Sequence, residues 1–203
     1  MKNNYNKGKK IIKLYEINVF KRTIIVWVFF QILLWMVFGI SYLYHKDAWI
    51  NVAISNSNVN SEWLSLFLFI VFNNLLICIL IAIGNLFARF NVITAGVVIM
   101  FIQMVSIGWI AGSNSFEVPF ISVLDANIQF LKVGLWEVTA YIFTFSVTIS
   151  KSLNISNTFL PNKWDQTKKL KEIKFNNKEI FLMVIAILLL VMAAIIETNL
   201  LII

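Results

Sequence analysis

Five runs of apolar residues, each about as long as a bilayer is thick, constrain this chain more than any other feature. An α-helix rises 1.5 Å per residue, so roughly 20 residues cross ~30 Å of hydrocarbon. The runs Thr23–Leu43, Trp63–Ala88, Asn91–Gly112, Ile128–Ser150 and Ile180–Ile203 all reach that length. Hydrophobic residues make up 60% of the chain and charged residues 13%, about half the ~25% that a water-facing domain carries. The expected fold is all-α: a polytopic transmembrane bundle of about five spans, one domain over residues 23–203, behind a basic segment at 1–22.

The placement of the cations gives the bundle a direction. Of 17 lysines and arginines, seven precede the first run, Arg89 lies between the second and third, and seven follow the fourth, from Lys151 to Lys178. These 15 fall on one side of the membrane if every run crosses it. Basic residues accumulate on the cytosolic side, so the N-terminus is expected inside and the C-terminus outside a bacterial cell membrane. The opposite loops, Tyr44–Glu62 and Ser113–Asn127, contain Lys46 alone. Lys132, near the outer end of the fourth run, can snorkel to the interface.

A net charge of +7 raises the question of nucleic acid. Such binders gather their cations on a folded, soluble face, whereas these stand in short segments beside apolar runs. Anionic lipid is the simpler partner. The first run is about 21 residues long and lacks a small-residue cleavage site behind it, so it is read as an anchor and not as a signal peptide. Within Met1–Arg22, Ile11, Ile12, Tyr15 and Val19 recur near helical spacing opposite lysines. Both an interfacial helix and a solvated tail fit that pattern. Phe116–Leu124, broken by Glu117 and Pro119, is long enough to dip into the interface without crossing. Asn154–Lys178 is polar and lysine-rich, with room for a short helix.

Candidate sites are the polar residues inside the runs. Glu137 lies about ten residues into the fourth run, roughly 15 Å deep, where an ionisable group costs at least ~2.5 kcal/mol. Helical spacing puts Gly134, Glu137, Tyr141, Thr144 and Thr148 on one stripe. The carboxyl either contacts a proton or substrate or fixes helix register. The second reading is preferred, because the sequence pairs no other acid with it. Asn73 and Asn74 sit in the middle of the second run, with Asn74, Cys78, Ile81 and Asn85 on one face. These amides, together with Gln31 and Gln103, read as hydrogen-bonding glue between helices. Cys78, the lone cysteine, reads as a packed thiol, and His45 as an interface residue. Zinc-type histidine pairs, a Walker loop, a dinucleotide glycine pattern and a nucleophile elbow do not occur in the sequence. No enzyme, metal or cofactor is therefore expected. Asn154-Ile155-Ser156 matches a glycosylation sequon by chance, since the topology keeps it cytosolic.

Leu66 to Ser150 resembles the stage II sporulation protein M family of bacterial and archaeal membrane proteins. The resemblance rests on FIVFNNLLICILIAIGN, with Asn73, Asn74 and Gly84, on Gly96 in VITAGVVIM, and on Gly134 and Glu137 in FLKVGLWEVTAYIF. Ala95 stands where the family has Asn, and Val133 where it has His. The resemblance implies a member of a multiprotein membrane complex, with the glycines serving helix packing. Similar short members accompany an ABC transporter in circular-bacteriocin operons. Three functions follow as expectations. The first is a permease-like or accessory subunit for peptide export, maturation or self-immunity, with an ABC ATPase as partner. The second is a sporulation or cell-envelope scaffold that recruits a cell-wall hydrolase. The third, a secondary transporter of an ion or small solute, rests on Glu137 and the buried amides and not on the resemblance.

Overall fold

The structure, a computed structural model, describes residues 14–50, 52, 62–91, 93–116, 118–156, 158 and 164–202. Among the described residues, five helices are long and apolar enough to cross a membrane: α1 (Val19–Tyr44), α2 (Trp63–Phe87), α3 (Ala95–Gly112), α4 (Val123–Lys151) and α5 (Asn177–Ile202). The chain is thus a multi-pass membrane protein built as a helix bundle. Most of an interfacial helix over Met1–Arg22 would lie outside the described residues.

The helices outrun or fall short of the apolar runs for local reasons. α1 starts at Val19 because the Asn18 side chain accepts from Phe20 N at 2.9 Å, an N-cap that satisfies an otherwise orphaned donor. α5 starts at Asn177 because Asn176 and Glu179 exchange side-chain bonds at 2.9 and 3.0 Å in the manner of a capping box. α4 starts at Val123, capped by Ser122, and runs through a π-helical turn at Phe130–Gly134. Lys132 therefore stands well inside α4 and not near its end, with its side chain exposed.

The third run does not begin its helix at Asn91. That residue has φ 53°, a left-handed turn conformation that asparagine tolerates better than most. It closes a hairpin of β1 (Ala88–Phe90) and β2 (Ile93–Thr94). β1 also pairs in parallel with β3 (Asn154–Ser156), which pairs antiparallel with β4 (Asp165–Gln166), giving the order β2-β1-β3-β4. The polar segment after α4 thus holds strands and a 3-10 turn at Leu170–Glu172 where a short helix had room. Its backbone groups bond both to β1 in the neighbouring connection and to one another through the β3–β4 pair. The sequon residues form β3, with the Asn154 amide on the Phe87 carbonyl at 3.2 Å.

This sheet marks one end of the bundle, which holds Arg89, Lys151 and the lysines before α5. At the other end, the chain between α3 and α4 turns at Asn114, whose side chain brackets Phe120 through two bonds of 2.9 Å. It does not cross the bundle, and Glu117 lies outside the described residues. α1 and α3 ascend side by side. Gly108 lies against Leu34 and Phe38, and one turn further Gly112 lies against Ser41 and Tyr42. Phe30, Leu34, Ile81, Met100, Met104, Ile142, Phe145 and Leu190 form the buried core. Large apolar side chains also cover the outside, with Phe69 and Phe72 each 65% exposed. Water would penalise such a surface, and hydrocarbon does not.

Candidate functional site

Glu137 is the middle residue of the 29-residue α4, about 21 Å from either end. Facing it across the bundle is Asn74, one position from the centre of α2. The Asn74 amide donates to Glu137 Oε1 at 2.5 Å, and the Tyr141 hydroxyl donates to Asn74 Oδ1. One carboxamide therefore bridges a carboxyl and a phenol, using a donor on one side and an acceptor on the other. Tyr141 and Asn74 are buried, and Glu137 is half-buried. α5 completes the group with Glu197, whose charge acts on both Glu137 and Tyr141. The second acid that the sequence did not pair with Glu137 thus comes from the last helix.

Lower in the bundle, Asn85 is fully buried. Its amide donates to Thr148 Oγ1 at 2.9 Å, and its oxygen accepts from Thr94 Oγ1 at 2.5 Å. Thr94 in turn accepts from Val97 N and caps α3, so one side chain ties α2, α3 and α4. The approach this requires is supplied by Gly84 and Gly96. A Cβ on Gly84 would sit 2.6 Å from Gly96 N, and one on Gly96 would sit 2.7 Å from the Ile81 carbonyl. Gly134 differs from these packing glycines. Its missing Cβ makes room for the Phe130 ring of its own helix, as the π-turn demands.

Asn73 also differs from the expectation of glue within the bundle. It points outward and donates back to the Phe69 carbonyl at 2.9 Å, because one residue of helix rotates a side chain by about 100° and Asn74 takes the inward place. Gln31 is buried with no partner on Nε2, and Gln103 is half-buried. The offset set by Gly108 and Gly112 puts these two amides at similar heights on α1 and α3. Cys78 is buried, and His45 bonds the Ser41 carbonyl at 2.8 Å with its ring edge-on to Trp109.

At the sheet end, Lys151 pairs with Glu179 at 2.9 Å and also reaches the Lys174 carbonyl. Arg22 donates to the Tyr15 carbonyl at 3.2 Å and feels the charge of Glu179. Arg89 lies 4.4 Å above the Tyr15 ring. Burial raises the pKa of the Tyr15 phenol above its usual range, and the Arg89 charge works against that rise. These contacts were not visible in sequence, since they join residues from four separate segments. The Gly108-xxx-Gly112 spacing, not singled out from the sequence, is a signal that could have found the α1–α3 seam, as a small-xxx-small signature of close helix approach.

A groove of about 530 Å³ opens sideways between α1, α4 and α5. Ile24, Trp27, Thr139, Phe143, Leu182 and Ile185 line it. The Trp27 indole donates to Thr139 Oγ1 at 3.1 Å, which leaves the walls almost wholly apolar. Among the described residues, no three His, Cys, Asp or Glu side chains gather in a way that could hold a metal ion. Comparison with protein-family models, curated proteins and solved structures finds no match.

Proposed function

We propose that this chain is a non-enzymatic integral membrane component of a peptide export, maturation or self-immunity system, a permease-like or accessory subunit that works beside an ABC-type ATPase. The observation that carries this reading is the groove between α1, α4 and α5. It is apolar and opens towards the hydrocarbon, and the Trp27–Thr139 bond pins its wall. A hydrophobic stretch of a peptide already in the bilayer can enter it without passing through water. The resemblance to the sporulation protein M family supports the same reading through the company its short members keep.

A photo-crosslinking residue in place of Ile185 tests the groove directly. In a producing cell it is expected to capture the secreted peptide, and capture of lipid alone would argue against the assignment. Peptide secretion and resistance that survive deletion of the gene would overturn it. The proposed orientation, N-terminus inside and C-terminus outside a bacterial cell membrane, rests on the cation bias of the connections. A reporter fused at Asn177 is expected to report the cytosol.

A second reading, secondary transport, is favoured by the Asn74–Glu137–Tyr141 group with Glu197 beside it. Ionisable side chains at the bilayer midplane mark ion and proton routes in many membrane proteins. Uptake by proteoliposomes that contain this chain alone would favour transport over the accessory role.

A further inference from the structure

α2 carries a polar group on its lipid side. Asn73 is exposed, two positions from the centre of the 25-residue helix, and so lies within a few ångströms of the bilayer midplane. Its bond to the Phe69 carbonyl uses one N–H. The second N–H and the carbonyl oxygen are left to the surroundings, and hydrocarbon satisfies neither. An amide at that depth normally faces the bundle or another helix.

The face around it is patterned. Phe69, Asn73, Leu76, Leu80 and Ile83 follow one another at alternating intervals of four and three, and every one is exposed. That is the spacing of a helix–helix seam, in which a single central asparagine sets register and oligomeric state. α2 also has the smallest buried share of the five spans, 17%.

We propose that this face of α2 is a homodimer interface in which Asn73 of two copies of this chain meet. Two features argue for a second copy over an unrelated helix. The carboxamide is self-complementary, offering both a donor and an acceptor after the Phe69 bond is made. Two copies inserted in the same direction are related by a two-fold axis along the membrane normal, which brings Asn73 to Asn73 at one depth without further adjustment.

The test uses the full-length chain, labelled with donor or acceptor dye at separate copies and reconstituted in lipid. Energy transfer is followed as lipid dilutes protein. Wild type is expected to pass from dimer to monomer along the dilution. Asn73→Leu moves that midpoint at least ten-fold towards higher protein density, about one interhelical amide bond in size. Asn73→Gln restores part of the loss. The Asn73 side chain leaves the core untouched, so thermal unfolding of Asn73→Leu checks that the fold persists. Chance-level energy transfer at every dilution, or an Asn73→Leu midpoint equal to wild type, overturns the proposal. So does a photo-crosslinker at position 73 that captures a different membrane protein in native membranes.

Discussion

Gly108→Ala and Gly39→Ala add the same methyl group to helices of the same bundle and are expected to act in opposite directions. At Gly108 the new Cβ would lie 2.6 Å from the Leu34 carbonyl oxygen and 3.2 Å from Phe38 N. Both are backbone atoms and cannot rotate away. Ordinary contact begins at 3.4 Å, so α1 and α3 must separate by about 0.8 Å. The same seam contains Ser41 Oγ on the Trp109 carbonyl and Trp49 Nε1 on the Gly112 carbonyl, each at 2.8 Å. A shift of about 0.8 Å would stretch both beyond hydrogen-bonding range. Overpacking of this kind costs ~1–3 kcal/mol, against a helix-propensity gain of up to ~1 kcal/mol. A net loss of about 1–2 kcal/mol follows.

Around Gly39 nothing lies within 4 Å of the added Cβ, so only the propensity gain remains. Unfolding by denaturing detergent in mixed micelles, followed by tryptophan fluorescence and helical circular dichroism, reads both variants against wild type. A Gly108→Ala protein as stable as Gly39→Ala would refute the close packing of α1 on α3.

Asn85→Leu takes the acceptor from the buried Thr94 hydroxyl and a donor from Thr148, whose hydroxyl keeps the Thr144 carbonyl, and is expected to cost about 1–3 kcal/mol in the same unfolding titration. Lys151→Met leaves the Glu179 carboxylate buried without its ion-pair partner and is expected to cost up to ~3 kcal/mol. The double variant Lys151→Met/Glu179→Gln, which keeps an oxygen for Asn176 N, should recover most of that loss, and additive losses would contradict the pairing. Glu137→Gln keeps an oxygen for the Asn74 amide and should change stability by less than ~1 kcal/mol. Glu137→Leu orphans that amide and should cost ~1–2 kcal/mol. Equal losses for the two would remove the hydrogen bond from the account.

The helices were legible in the sequence because hydrocarbon imposes a length and a composition that no other environment asks for. Their ends were less so. Hydropathy falls at Lys21 and Arg22, yet α1 already includes both, since the cap at Asn18 and not the charge decides where the ladder starts. Strands of two or three residues carry no alternation to detect, which hid β1 to β4. Within the site, Glu137 and Asn74 stood out by depth alone, but which of two adjacent asparagines faces inward is a matter of one residue's rotation. Glu197 is 60 positions from Glu137 in sequence, and its nearness depends on how α5 packs on α4, which periodicity does not encode. The Gly108-xxx-Gly112 spacing stands in the sequence but was passed over, and its partners on α1, from Leu34 to Tyr42, come only from the packing.

The parallel pairing of β1 with β3 has a mechanical meaning. It is extended by Asn91 N on the Ser156 carbonyl and Leu153 N on the Leu86 carbonyl, each at 2.7 Å, and so buttons the α2–α3 hairpin to the α4–α5 hairpin through main chain. At the opposite end, among the described residues, the Trp63 indole of α2 donates to Asn199 Oδ1 of α5 at 2.8 Å. Splaying of the two hairpins must tear backbone bonds at the sheet, the side-chain bonds of Asn85 and Asn74 to α4 further along, and this indole–amide bond at the second end. The two hairpins are therefore joined through main chain where the sheet lies and through side chains further along the bundle, so the sheet end is the stiffer one.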